Sequence, residues 1–255
     1  MIPSAKLING IEIPTLGLGT WKMSDDEAEH AVRSALEIGY RHIDTAKLYG
    51  NERGVGNAVR ASGLPREEIF VTTKLWPTDF FDPQKGFQES LARLDIGYVD
   101  LYLIHWPAPL MPKSIWRAME RIYENKKVRA IGVSNYGPGD LKKLLSYAAV
   151  PPVANQIQFS PFDFDKTTLD FCREKDIAVE AYSPLTRGRK LDDPAIGKIA
   201  TKYGKSPAQI MIRWCIEHAA IPLPKSSNPD RMRENLDVFD FKLASEDVAA
   251  LDSLT

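Results

Sequence analysis

The 255-residue chain carries 33 basic and 34 acidic side chains for a formal charge of −1, and 44% of its residues are hydrophobic. That balance gives no electrostatic reason to bind nucleic acid or an anionic membrane, and no apolar run approaches membrane-spanning length. The N-terminus lacks a basic stretch followed by a hydrophobic core, and no linker or low-complexity tract interrupts the pattern, so a cytoplasmic protein with one domain over residues 1–255 is expected.

In chain order, residues 6–8 and 11–13 flank Asn9-Gly10, a dipeptide suited to the positive φ angles of a tight hairpin turn. Such a hairpin is placed to close the floor of a barrel. Eight strand-like runs follow at residues 16–18, 41–43, 69–73, 99–104, 129–133, 153–158, 178–181 and 221–223. Between them, Ser24 ahead of Asp25-Asp26-Glu27, Ser206 ahead of Pro207 and Asn228 ahead of Pro229 read as helix caps. Cys172 and Cys215 fall in apolar helical stretches without the paired spacing of a metal or redox site, and neither a disulfide framework nor a metal is expected.

Alternating strands and helices predict a parallel sheet with right-handed crossovers. Eight units at this length favour a closed (β/α)8 TIM barrel over an open doubly wound sheet. The open sheet usually holds a dinucleotide through Gly-x-Gly-x-x-Gly. Gly17-Leu18-Gly19 lacks the third glycine, and the glycines at 50, 54 and 56 miss the spacing.

Four polar side chains, Asp44, Tyr49, Lys74 and His105, fall at or just past three successive strand ends. In a barrel those ends open on one face, where an acid, a phenol, a cation and an imidazole can move a proton. Taken singly, Asp44 reads as a helix cap, Tyr49 as a packing residue, Lys74 as a solvated charge and His105 as a core histidine. Those separate readings give no reason for the four to share one mouth.

The residues resemble the aldo-keto reductase family along essentially the whole chain, in the short-loop prokaryotic branch that includes diketogluconate reductases. The resemblance is carried by Gly17-Leu18-Gly19-Thr20-Trp21, Asp44 to Tyr49-Gly50-Asn51-Glu52, Lys74-Leu75-Trp76 and Ile104-His105-Trp106-Pro107. Ile131-Gly132-Val133-Ser134-Asn135, Asn155-Gln156, Ala181-Tyr182-Ser183-Pro184-Leu185 and Ile221-Pro222-Leu223-Pro224-Lys225-Ser226 complete it. It implies an NADP-dependent reductase of aldehydes, α-dicarbonyls or keto sugars, acting as a monomer. In those roles Tyr49 is the acid, Lys74 favours its phenolate, Asp44 neutralises Lys74, and neutral His105 orients the carbonyl.

For the cofactor, the resemblance implies that Ser134, Asn135 and Gln156 hold the nicotinamide carboxamide and that Tyr182 stacks on the ring. Gly19, Thr20, Trp21, Asp44, Ser183 and Leu185 lie along the same cleft. Lys225, Ser226, Ser227, Asn228 and Arg231 bracket a loop entering a helix, where free amides and two cations suit a 2′-phosphate and hence NADPH over NADH. Glu234 and Asn235 resemble the adenine-facing pair. A solvated, capped helix start is the plain alternative for that loop. Trp21, Trp76 and Trp106 are expected along the substrate pocket, and Trp116 and Trp214 in the core.

Short connections after His105-Trp106-Pro107 and after Leu185, together with an end soon after residues 245–251, predict an open, permissive site. Two further readings stand beside the reductase. One is a non-catalytic nicotinamide-binding regulatory subunit. The other is a phosphate-utilising isomerase with Glu180 as its base, which leaves Tyr49, Gln156 and Tyr182 without a task.

Overall fold

The computed structural model describes residues 2–108 and 110–255. Strands β1 (Ser4–Lys6) and β2 (Glu12–Pro14) pair antiparallel, with Ser4 opposite Pro14. Their connection is not the expected two-residue turn. The Leu7 carbonyl accepts from Gly10 N at 2.8 Å, Leu7 N donates to Ile11 O at 2.8 Å, and only Gly10 in this loop has positive φ, at 86°. That is a three-residue loop ending in a left-handed glycine, which also matches the right-handed twist of the strands. Asn9 is thereby freed to donate from Nδ2 to the carbonyl of Arg129, 3.1 Å away. Leu7 and Ile13 bury themselves against Phe70, Leu101, Leu103, Ala130, Val153, Ala154 and Ile221, so the hairpin closes the floor as anticipated.

Eight parallel strands follow in sequential spatial order: β3 (Leu18–Gly19), β4 (His42–Asp44), β5 (Phe70–Leu75), β6 (Val99–Ile104), β7 (Val128–Ser134), β8 (Ala154–Gln158), β9 (Ala178–Tyr182) and β10 (Ile221–Leu223). Most bounds fall within a residue or two of the sequence expectation. The systematic difference is that β4, β5, β7 and β9 run on through Asp44, Lys74, Ser134 and Tyr182. Ladder partners hold those ends, with Asp44 opposite Thr72, Lys74 opposite Leu103, Ser134 opposite Gln156 and Tyr182 opposite Leu223.

The barrel closes between β10 and the chain entering β3, where Gly17 N donates to Pro222 O at 3.0 Å and Gly19 N to Pro224 O at 3.1 Å. Neither proline has an N–H to donate back, so this seam carries half a ladder. The glycines are needed there. A Cβ at Gly19 would come within 2.9 Å of the Leu223 carbonyl, and one at Gly17 within 2.8 Å of the His42 ring.

Ten helices pack outside among the described residues: α1 (Asp25–Ile38), α2 (Glu52–Ala61), α3 (Pro83–Leu94), α4 (Pro112–Glu124), α5 (Pro138–Leu145), α6 (Lys166–Glu174), α7 (Pro194–Tyr203), α8 (Pro207–Glu217), α9 (Pro229–Leu236) and α10 (Ser245–Asp252). The three caps read from sequence are present. Ser24 accepts from Glu27 N, Ser206 and Gln209 form a reciprocal capping box, and Asn228 accepts from the amides of Asp230 and Arg231. Trp116 and Trp214 are fully buried on α4 and α8, and both cysteines are free and buried.

Helix α2 is drawn unusually close to its neighbours. A Cβ at Gly56 would sit 1.9 Å from the Leu94 carbonyl, which also accepts from Arg60 at 2.8 Å. Gly56→Ala is expected to destabilise the fold by about 3 kcal/mol, because backbone on both sides must move. A fall in the urea midpoint with an unchanged slope is the measurement.

Period-2 alternation explains what lies inside the barrel. Along β5 the inward positions run Phe70, Thr72, Lys74; along β9 they run Ala178, Glu180, Tyr182; β4 supplies His42 and then Asp44. The interior therefore changes from apolar at the hairpin to polar at the carboxyl ends.

Candidate active site

Lys74 is fully buried and its Nζ donates to Asp44 Oδ1 at 2.6 Å, to the Thr45 carbonyl at 2.9 Å and to Tyr49 Oη at 3.4 Å. Ladder pairing of β4 with β5 brings the first two groups together. Tyr49 arrives on a single 3-10 turn, Lys47–Tyr49, which the left-handed Gly50 terminates. That turn is clamped from outside, since Lys47 Nζ pairs with Asp79 at 2.7 Å and Glu89 at 3.2 Å. The clamp was not anticipated, because a lysine beside two distant acids carries no local signal.

Burial pulls the Lys74 ammonium down, but Asp44, Tyr49 and Glu180 outweigh it and its pKa is raised, so it stays charged. Burial pushes Asp44 up, with Lys74 opposing. Tyr49 is pushed up to about 12, by burial first, with Lys74 pulling the other way. Lys74 thus acts in the expected direction and burial wins, leaving a phenol that holds its proton at neutral pH.

His105, one residue past β6, stands edge-on to Trp76 at 5.0 Å and Tyr49 at 5.9 Å between ring centroids. Its Nδ1 is buried without a partner among the described residues, which leaves Nε2 as the nitrogen free for a ligand. Burial, then Lys74, lowers its pKa to about 3, so the ring is neutral. A histidine held neutral by folding is lost as a stabilising feature when its unfolded counterpart charges. Stability should therefore fall as pH drops from about 6.5 towards 3, and the slope should flatten in His105→Gln when unfolding is compared at pH 7 and pH 4.5.

Across the mouth, Asn135 adopts positive φ at 62° and its Nδ2 donates to the His105 carbonyl and to Ser134 Oγ, both at 3.0 Å. Its Oδ1 accepts from Tyr182 Oη at 2.8 Å, which fixes the tyrosine ring as a platform. Ser134 Oγ donates to the Gln156 carbonyl at 2.7 Å. Gln156 donates both amide hydrogens, to Asp44 Oδ1 at 2.8 Å and Glu180 Oε2 at 3.1 Å, leaving Oε1 as an unengaged acceptor. Trp21 and Trp76 are half-buried and Trp106 is exposed, on the loops after β3, β5 and β6. Arg187, after β9, lies over the Trp21 ring at 4.6 Å from its centroid.

A second group lies after β10. Lys225 is exposed, 3.5 Å from Glu27, and exposed Arg231 opens α9; Ser226 is buried, with its Oγ bonded to Asn228 N at 3.1 Å. One expectation needs correction here. The first amides of α9 are not free, because Asn228 Oδ1 takes those of Asp230 and Arg231 at 2.9 and 3.1 Å. Any anion here meets side-chain cations and not helix amides. Ser227 and Asn228 are exposed, Glu234 half-buried and Asn235 buried.

With this geometry in place, the aldo/keto reductase family model matches residues 15–255. The chain belongs to the aldo/keto reductase family. It is accordingly an oxidoreductase of the NADP-dependent kind. A 9,11-endoperoxide prostaglandin H2 reductase of Trypanosoma cruzi (strain CL Brener) is 46% identical over 97% of this chain and 90% of its own length. A glyoxal reductase of Bacillus subtilis (strain 168) is 44% identical over 98% of this chain and 92% of its own. The crystal structure of a Bombyx mori aldo-keto reductase in complex with NADP superposes with a TM-score of 0.93 at 38% identity, covering 100% of this chain and 93% of that one.

This aldo/keto reductase offers a nicotinamide a fixed aromatic platform in Tyr182 and an idle acceptor in Gln156 Oε1, and offers a phosphate the exposed Lys225 and Arg231. The residues fit the cofactor. Sequence reading missed the position of Glu180 beneath this centre, although alternation along residues 178, 180 and 182 would have turned it inward.

Proposed function

We propose that this enzyme reduces small aldehydes and α-dicarbonyls, and keto sugars such as diketo sugar acids, to alcohols with NADPH, and that Tyr49 donates the proton. The carrying observation is the buried Asp44–Lys74–Tyr49 chain ending at a phenol beside a neutral imidazole. The bound nicotinamide supplies the hydride. The carbonyl oxygen accepts hydrogen bonds from Tyr49 Oη and His105 Nε2, which gather the negative charge that builds there. Tyr49 then gives up its proton as the carbonyl carbon is reduced, and Lys74 stabilises the phenolate left behind. Asp44 keeps Lys74 in place.

Gln156 Oε1, with Ser134 and Asn135, orients the carboxamide, and Tyr182 covers one face of the ring. Gly19, Thr20, Trp21, Ser183 and Leu185 border the cofactor's path. Lys225, Arg231 and Ser226, with Ser227 and Asn228 beside them, recognise the 2′-phosphate, and Glu234 and Asn235 face the adenine. Trp21, Trp76 and Trp106 form the apolar wall, and the short connections leave room for varied substrates. We place the protein in the cytoplasm as a monomer with one domain.

The test is oxidation of NADPH and NADH in the presence of methylglyoxal. Turnover with at least a tenfold preference for NADPH is expected, since two charged contacts are at stake. NADPH binding without turnover on a panel of aldehydes and dicarbonyls would favour a regulatory subunit instead.

A further inference from the structure

Barrel interiors are usually filled by branched apolar side chains, and an ionised carboxylate among them is costly unless paired. Glu180, in the middle of β9, is nevertheless fully buried. Groups on three other strands face it. Gln156 Nε2 on β8 donates to its Oε2 at 3.1 Å, and His42 Nε2 on β4 lies 3.3 Å from its Oε1. Asp44 on β4 and Lys74 on β5 feel its charge. Yet the pairing is loose. His42 Nε2 lies equally near Thr72 Oγ1, at 3.3 Å, while Glu180 Oε1 and His42 Nδ1 have no hydrogen-bond partner among the described residues. A charge buried this way is poorly arranged for ion-pair stability.

It is well arranged to hold Gln156. That amide has two hydrogens, and two carboxylates, Asp44 and Glu180, receive them from different strands. Turning the amide over would set its oxygen against both carboxylates, so only one orientation survives. With Asp44 alone, one hydrogen would be unbound and the amide could rock about its last torsion. Glu180 removes that freedom and aims Oε1 into the mouth.

We propose that Glu180 is a positioning residue for cofactor recognition: with Asp44 it locks the Gln156 amide so that Oε1 accepts from the carboxamide NH2 of the nicotinamide. This rests on the nicotinamide contacts proposed above. The enzyme then discriminates against a cofactor that lacks that NH2, and Glu180 sets the degree of discrimination.

The experiment titrates NADPH and its 3-acetylpyridine analogue, in which a methyl ketone replaces the carboxamide, into wild type, Glu180→Leu and Glu180→Gln, followed by quenching of tryptophan fluorescence. Wild type is expected to bind NADPH roughly tenfold tighter than the analogue, the worth of one well-aimed hydrogen bond. In Glu180→Leu, NADPH affinity falls towards that of the analogue, whose own affinity is unchanged, and the ratio drops to about twofold or less. Glu180→Gln keeps the size but only a neutral acceptor, so its ratio lies between; this variant carries the test if the leucine variant does not fold. Ratios as large as wild type, or equal weakening of both cofactors, would show that Glu180 is merely structural and overturn the proposal. Equal binding of both cofactors by wild type would instead overturn the Gln156 contact, and the proposal with it, while failure to bind NADPH at all would overturn the functional reading itself.

Discussion

Replacing Tyr49 by phenylalanine lowers turnover roughly a thousandfold while leaving NADPH affinity within about twofold, the span expected for loss of a positioned general acid. The phenol is not unusually acidic in this structure. Burial holds it up near 12 against the pull of Lys74, so at neutral pH it stands protonated, and in the proposed mechanism Lys74 acts on the phenolate that forms afterwards. Phenylalanine keeps the ring against His105 and removes only the hydroxyl. Steady-state reduction of an aldehyde, with fluorescence titration of NADPH, checks both halves, and a variant with more than a tenth of wild-type turnover would remove Tyr49 from its role.

Lys74→Met has a second large effect, on stability as well as rate. The buried Asp44 carboxylate would lose its 2.6 Å ammonium partner and retain only the Gln156 amide. An uncompensated buried charge of this kind costs about 3–5 kcal/mol. Asp44 relieves part of that by taking up a proton, so the penalty should shrink as pH is lowered, the reverse of the His105 trend. Urea unfolding of wild type and Lys74→Met between pH 5 and 8 measures it. Tyr49 in this variant has no cation to receive its developing charge, and turnover falls with it.

What could be read from the chain alone followed from local rules. Strand runs, capping residues and the barrel order rest on β-branched stretches, Ser or Asn before Pro or acids, and alternation, all of which act over a few residues. The hairpin turn was misread because Asn9-Gly10 fits two turn geometries, and the deciding bond, from Asn9 to Arg129, spans 120 positions. The amides of α9 are a different matter: the sequence reads Asn228 as a cap and also leaves the amides of that turn open to an anion, and the fold resolves the conflict because Asn228 Oδ1 takes the amides of Asp230 and Arg231 itself. Likewise, the acidity of Tyr49 was expected to follow Lys74, because a neighbour can be named from sequence, whereas depth of burial cannot. The clamp on Lys47 and the contacts of Glu180 with Gln156 and His42 leave no local signal because the partners lie on other elements.

The proline-bearing seam between β10 and β3 makes the barrel mechanically uneven. Seven of its strand junctions are paired ladders, and among the described residues the backbone hydrogen bonds across the eighth come from the amides of Gly17 and Gly19. If the wall breathes anywhere it does so along this line, which leads straight up to Lys225. A cofactor gripping the loop after β10 and the cleft beside Trp21 would span the junction like a staple across a slit, so occupancy of the site and integrity of the cylinder become one equilibrium.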